Sequence, residues 1–346
     1  MRVSSKRVVV VVEDVFRKTS YYLPRQICKD FECDHRVELT YNQAWHLKEK
    51  AKECIYGASH YSYTFLPWLC HRLREINLRI IAEYTSHEGH FTQLFIAHAF
   101  SIQGFIMGCQ PILAIDSCHL SDLYKGALLS TIAYNVNDRM FPLALGVVSL
   151  ENYKDWYWFL EKLKGALNGK EVVVISNRHQ GILHSVSEFF GTENHAYCYR
   201  RVKEKISSFL NRQNIKGKKG KEDVLLLLDN IVYAKLDVDY NDAFEKLVHF
   251  NDNLAKWVAE NNPEHWAMSK FLKNRWDKMT TSIVESFNVW LKDEYYQTIY
   301  MLLLMHMDKL IGMLDTHMRS TKKMEECGWT ENRRKTNVKY HDVWFD

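Results

Sequence analysis

An aspartate that closes a run of apolar residues is the first place in this chain to look for chemistry. Pro111 to Asp116 reads PILAID, the pattern of a buried strand ending in an acid. An acid so placed stands at a sheet edge, where it can reach a ligand or a metal ion. One carboxylate is too little for metal-assisted phosphoryl chemistry, because two divalent ions roughly 4 Å apart need several anionic oxygens from separate elements. The natural second position is the end of the next core strand, Glu171 to Ser176, and there the chain has Asn177. Its amide offers one carbonyl acceptor and no charge. Glu285, in Ser282 to Asn288 (SIVESFN) near the start of a helical stretch, is the third oxygen-bearing side chain.

Other side chains stand close to these in sequence. His119 and His179 flank the first two positions and have the chemistry to assist a proton transfer, though a hydrogen-bonded histidine at a strand end explains each equally well. Cys198 has only His195 nearby to activate it as a nucleophile. Cys28, Cys33 and His35 have the look of zinc ligands without a fourth partner. From Arg200 to Lys221 the chain carries Arg200, Arg201, Lys203, Lys205, Arg212, Lys216, Lys218, Lys219 and Lys221 against a single acid, Glu204. A field of that sign attracts phosphates where it lines a groove, and is a solvated surface loop where it does not.

The elements that must position these groups follow from periodicity. Pro111 to Asp116, Ala127 to Tyr134 and Pro142 to Leu150 are β-type runs, the last two joined through Asn135, Asn137 and Asp138 as a hairpin. Trp156, Phe159, Leu160, Leu163 and Leu167 recur at helical spacing, with Gly169 placed to end the helix. Glu171 to Ser176 is a buried strand, Gly181 to Phe190 a helix, and Ala196 to Tyr199 a short fifth strand. Three strands followed by strand–helix alternation predict a mixed sheet with helices on both faces. Beyond residue 200 only helical patterns appear: Leu225 to Leu228, Phe244 to Phe250, Leu254 to Val258, then Thr281 to about Met318, where Met301, Leu304, Met305, Leu310 and Met313 read as core filler.

The N-terminal part opens on the valine run Val8 to Val12, which β-branching favours as a strand. It then turns helical. Thr40 and Gln43 have capping-box spacing for a helix from Tyr41 to about Ile55. With Leu23 to Phe31 this forms either a helix-turn-helix or an ordinary amphipathic pair with its lysines in water.

At 346 residues, with 47% hydrophobic and 25% charged residues, the chain reads as a soluble globular protein of net charge +4. No apolar run near the start is long enough to span a bilayer or has the form of a secretory signal. The eight cysteines form no Cys-x-x-Cys pair, and free thiols in an intracellular setting are expected.

Several linked stretches together resemble the Mutator-like element transposases of plants, a group that includes the domesticated far-red impaired response and MUSTANG types. They are Ile115 to Gly126 (IDSCHLSDLYKG), Phe141 to Val148 (FPLALGVV), Glu151 to Leu160 (ENYKDWYWFL), Ile175 to Gly181 (ISNRHQG), Ala196 to Arg201 (AYCYRR) and Thr281 to Trp290 (TSIVESFNVW). The resemblance implies a ribonuclease H-like fold, two Mg or Mn ions, double-stranded DNA as partner, and a triad of two aspartates and a glutamate that cuts DNA and joins the freed 3′ end. On that pattern Asp116 is the first aspartate and Glu285 the glutamate, both as metal ligands. Three departures follow. The family's Ser-Asp-Arg-His is Ser176, Asn177, Arg178 and His179 here; its Cys-x-x-His is Cys198, Tyr199, Arg200 and Arg201; its Asp-Gly-Thr-His is Asp116, Ser117, Cys118 and His119. Loss of a full charge at 177 should cost several kcal/mol of metal binding, hence orders of magnitude in rate. The Cys and His module that family members carry after the catalytic region is not visible, with Cys327 alone, and a shortened gene product is expected.

The expectation is therefore an α/β protein: a ribonuclease H-like mixed five-stranded sheet flanked by helices, with an all-α insertion and a helical N-terminal region. Its parts are residues 1–109 (helical, DNA-binding in the helix-turn-helix reading), 110–205 (core), 206–275 (helical insertion), 276–320 (closing helices with the third acid) and 321–346 (tail). The expected function is a catalytically impaired, DNA-binding transposase derivative acting in the nucleus, a homo-oligomer being allowed, with Arg200, Arg201, Lys203, Lys205, Lys216, Lys218 and Lys219 on DNA and His119, His179 and Cys198 as auxiliaries. The alternative is an active metal-dependent transposase in which another acid, such as Asp122, replaces the missing charge.

Overall fold

In the computed structural model the described residues are 11–15, 23–56, 63–120, 126–149, 151–212, 218–292 and 298–326. The sheet has seven strands, β1 (Ile81–His87), β2 (His90–Ala97), β3 (Cys109–His119), β4 (Ala127–Asn135), β5 (Met140–Val148), β6 (Val173–Ser176) and β7 (His195–Tyr197), in spatial order β1-β2-β5-β4-β3-β6-β7. β4 is antiparallel to both of its neighbours, β3 and β5, which therefore run in the same direction, while β6 and β7 join β3 in parallel. The mixed sheet is as expected, and its size is not: seven strands stand where five were expected. The two extra strands lie in the stretch read as helical. They form a hairpin whose turn residues, Glu88 and Gly89, both have positive φ (51° and 78°), the geometry that matches strand twist in a two-residue turn. β2 then pairs with β5, so the hairpin extends the sheet at its antiparallel side.

The hairpin between β4 and β5 turns where expected. The Asn135 side chain accepts the backbone N–H groups of Asn137 and Arg139, both at 2.9 Å, and Asp138 takes φ 60°.

In chain order the helices are α1 (Pro24–His35), α2 (Tyr41–Tyr56), α3 (Leu66–Ile76), α4 (Ala99–Gly108), α5 (Tyr153–Ala166), α6 (Gln180–Phe190), α7 (Tyr199–Arg212), α8 (Lys218–Tyr233), α9 (Asp237–Phe250), α10 (Asp252–Glu260), α11 (Ser282–Trp290) and α12 (Ile299–Glu326). Alternation along β3 sorts the two faces of the sheet. Ile112 and Ala114 meet α3, α11 and the start of α12 through Leu69, Leu73, Val284, Phe287 and Leu302. Leu113 and Ile115 meet α4, α5 and α6 through Phe105, Trp156, Phe159 and Ile182. On α12 the buried positions are Ile299, Leu302, Leu303, His306, Leu310 and Leu314, so of the residues expected as core filler Leu310 is buried and the methionines lie at the margins.

Tyr199 begins a helix instead of ending a strand. That helix, α7, packs with α8, α9 and α10 in a cluster of its own around Val202, Ile206, Leu228, Leu247 and Trp266. α12 runs on to Glu326, into the stretch expected as tail.

α1 and α2 pack on one another through Ile27, Phe31, Ala44 and Ala51. The capping box forms: Gln43 N–H donates to Thr40 Oγ1 at 3.3 Å and Thr40 N–H to Gln43 Oε1 at 2.9 Å. Val11 and Val12 lie in a helical segment, 11–15, and Val12 is buried against the pair, so this end of the valine run is not a strand; Val8 to Val10 lie outside the described residues. A short β-branched run carries no period that separates strand from buried helix, and packing decides.

Candidate functional site

Strands β3, β6 and β7 run parallel, so their carboxyl ends share one edge of the sheet. The β3–β6 register pairs Ile112 with Val173 and Ala114 with Ile175, and the same offset carried two residues on sets Asp116 beside Asn177. There the Asn177 Nδ2 donates to Asp116 Oδ1 at 3.1 Å. Asn177 Oδ1 in turn accepts His179 N–H at 2.9 Å, and Asp116 Oδ1 also accepts Ser117 N–H at 2.9 Å. β3 continues to His119, so Asp116 lies inside the strand by a few residues and is only 4% exposed.

β7 places Cys198 at the same edge, its N–H donating to Ser176 O at 2.8 Å. The Cys198 sulfur accepts from Thr281 N–H at 3.3 Å and from Thr281 Oγ1 at 3.4 Å. This contact ties the edge to the start of α11, and Glu285 follows one helical turn later. Glu285 is partly exposed and not free: Arg200, at the start of α7, grips both its carboxylate oxygens in a two-pronged ion pair.

The charges around Asp116 are mixed. Burial pushes its carboxyl above the ordinary carboxylate range, Ser117 N–H and Arg201 pull it back, and Glu285 and Glu151 push it up again. Glu151 is the acid that sequence reading passed over. It follows β5, whose carboxyl end shares this sheet edge, and its Oε1 accepts Trp156 Nε1–H at 3.2 Å. Arg201 is held more firmly charged, first by its hydrogen bond to Glu204 and then by nearby charges that include Asp116.

Residues 112–205 match the family model of the MULE transposase domain. The match supports a protein related to Mutator-like transposases. No curated protein matches the chain. The MULE segment runs from β3 into α7 and so contains Asp116, Glu151, Asn177, Cys198, Arg200, Arg201 and Lys205, while Glu285 lies beyond it.

The side chains present do not fit a pair of divalent ions. Asn177 turns a donor, not an acceptor, toward Asp116, and both oxygens of Glu285 are bound by a guanidinium. No group of three or more His, Cys, Asp or Glu side chains placed to hold an ion occurs among the described residues. Cys28, Cys33 and His35 form no such group either. Asp122 lies outside the described residues.

The remaining expected residues divide. His179 caps α6, its Nδ1 accepting Gly181 N–H at 3.3 Å, and stands next to Asn177. His119, an odd number of residues from Asp116 on the same regular strand, falls on the opposite face and is exposed. Cys198 is 1% exposed and its sulfur receives Thr281, which suits a structural tie and not a nucleophile. Of the basic residues, Arg200 is committed to Glu285, Arg201 to Glu204 at 3.0 Å, and Lys203 to Asp229 at 2.7 Å with its ammonium over the Tyr199 ring. Lys205 is in no ion pair among the described residues and is exposed. Lys218 and Lys219 stand in the first turn of α8, with side chains outside the description, and Lys216 lies outside the described residues. None of the seven described cysteines is in a disulfide, and no helix is long and apolar enough to cross a membrane among the described residues.

Proposed function

We propose that the chain is a Mutator-like transposase derivative that binds double-stranded DNA and does not perform strand cleavage or transfer. The observation that carries this reading is the pairing at the sheet edge: an amide hydrogen-bonded to Asp116 and an arginine locked on Glu285. The amide gives Asp116 a hydrogen bond without charge and the guanidinium neutralises Glu285, so both side chains have partners within the protein. The fold is read as ribonuclease H-like, supported by the five strands β3 to β7, which taken in their own sequence order lie as 3-2-1-4-5 in a mixed sheet with helices on both faces. The setting proposed is the nucleus, in the manner of a domesticated regulator of the far-red impaired response or MUSTANG type. The test is binding of the purified chain to duplex DNA across a salt series, with affinity expected to fall steeply as salt rises. Absence of binding at low salt overturns it.

One observation favours a second reading. Glu285 and Glu151 both act electrostatically on Asp116; no three carboxylates stand placed to hold an ion among the described residues, so an active metal-dependent transposase would need Arg200 to release Glu285 and the acids to close on one another. Strand cleavage with Mg or Mn ions by the parent protein, abolished by Glu285→Ala, establishes this reading and overturns the first.

A further inference from the structure

A cleft of about 300 Å³ opens beside the Asp116–Asn177 pair, lined by Asn177, Arg178, His179, Arg201 and Lys205, with Glu204 as the one acid in its wall. Three permanent or near-permanent cations face one carboxylate, and that carboxylate already receives Arg201. Arg178 is held in place. Its Nη1 donates to Asn261 Oδ1 at 3.2 Å and its guanidinium lies 5.8 Å from the centre of the Tyr197 ring. Its other edge, Nε and Nη2, is buried without a hydrogen-bond partner among the described residues, and Nε of Arg201 is in the same state. Nε and Nη2 form the parallel two-donor fork that an oxyanion accepts with two oxygens. Buried donors are rarely left unmatched, so such a fork asks for an acceptor.

The surroundings suit an anion of that shape. His179 accepts at Nδ1 from Gly181 N–H, which leaves Nε2 as the ring nitrogen able to donate. Burial lowers the proton affinity of Arg178 and of Lys205, and the Arg178 charge lowers that of Lys205 further. An anion between them relieves both effects. A phosphate, with several acceptor oxygens in a tetrahedral array, uses a guanidinium fork and an ammonium at once.

We propose that this cleft is a phosphate site, centred on Arg178 with Lys205 and Arg201, that seats one backbone phosphate of a DNA strand lying along the carboxyl edge of the sheet. The identity of the phosphate as part of DNA rests on the function proposed above; the cleft itself does not.

The full chain is tested with a labelled short duplex across a salt series, and separately by its melting temperature in inorganic phosphate against chloride at equal ionic strength. Lys205→Ala, an exposed change that leaves the fold intact, is expected to weaken duplex binding about tenfold and to reduce the slope of log affinity against log salt by about 1. Arg178→Lys, which keeps the charge and loses the fork, is expected to weaken it as much as Arg178→Ala. Phosphate is expected to raise the melting temperature of the parent and not of the Lys205→Ala variant. Duplex binding with unchanged affinity and slope in the variants overturns the phosphate site and leaves DNA binding standing. No duplex binding, with a phosphate shift that the variants lose, keeps the site as one for free phosphate and overturns the DNA reading.

Discussion

Asn177 gives its side-chain N–H to Asp116 across the parallel seam between β3 and β6, 3.1 Å from nitrogen to oxygen, while its own carbonyl takes the backbone N–H of His179. Both ends of the amide are therefore used. An aspartate at 177 could keep the second bond and not the first, and it would set two carboxylates about as far apart as the present hydrogen bond. Such a pair cannot both ionise without a cation between them. The amide makes this edge self-sufficient, and the arginine on Glu285 does the same for the third member of the set.

Asp116 itself is a group whose ionised form the fold disfavours. Its carboxyl is raised above its ordinary value of 3.8, first by burial, so the folded state binds that proton more tightly than the unfolded chain. The linked stability is present below the ordinary value and is lost as pH rises through the raised one. At neutral pH the buried charge is a cost. Asp116→Asn, which keeps an acceptor for Asn177 and Ser117, should therefore stabilise the protein by about 0.5–2 kcal/mol in denaturant titration at pH 7. A less stable variant would show that Arg201 holds the carboxylate more strongly than burial penalises it.

Asn177→Asp should move stability the other way, by about 1–3 kcal/mol at neutral pH, as an unmatched buried charge beside Asp116. Manganese should not restore the single variant, because Glu285 remains in the grip of Arg200. The double variant Asn177→Asp with Arg200→Ala frees the glutamate and should gain a manganese-dependent rise in melting temperature, equivalent to about 1.4 kcal/mol at ten times the dissociation constant. Equal stabilisation of the single variant by manganese would mean that Arg200 is no obstacle.

The layer behind the edge can be tested independently. A Cβ built on Gly146 of β5 would lie 2.6 Å from a ring carbon of Phe159 on α5, a contact that only movement of the ring or backbone relieves. Gly146→Ala is therefore expected to cost about 1–3 kcal/mol in chemical denaturation. A neutral result would show that α5 shifts freely on this face of the sheet.

What could be read from the chain follows from how local its cause is. The capping box at Thr40 and Gln43, the Asn135 turn and the buried runs of β3, β4, β5 and β6 are set by residues next to one another, and they appear where their spacing places them. β1 is harder. It is an edge strand with one fully buried residue, Ala82, and its Glu83, Thr85 and Ser86 dilute the alternation; the signal left was the Glu88–Gly89 turn. The meeting of Asp116 with Asn177 follows from acids and amides at strand ends, a rule that extended to β5 would also have pointed to Glu151. The Arg200–Glu285 pair joins residues 85 positions apart, and no local pattern specifies it. The same holds for Arg178, whose unmatched fork exists only because Asn261 and Tyr197 hold the other side of the guanidinium.

Three buried histidines supply the last prediction. His98, against Phe100 and His306, is lowered to about 4 by burial; His306, facing Phe287 with His98 and Lys309 near, and His195, against Ser176, Tyr197 and His265, are each lowered to about 3, first by burial. A base whose folded value is depressed contributes stability that is present above its unfolded value, 6.5, and is lost as pH falls toward the folded one. Each histidine therefore adds up to about 1.4 kcal/mol per pH unit to the fall in stability below pH 6. The opposite sign at Asp116 offsets part of this only near its raised value. His98→Gln and His306→Gln, compared with the parent for the slope of stability against pH between 6 and 4 and not for stability at one pH, should each flatten the slope by about one proton. Curves parallel to the parent would mean that these rings already lose their burial before they titrate, and that α12 leaves the sheet ahead of the rest of the fold.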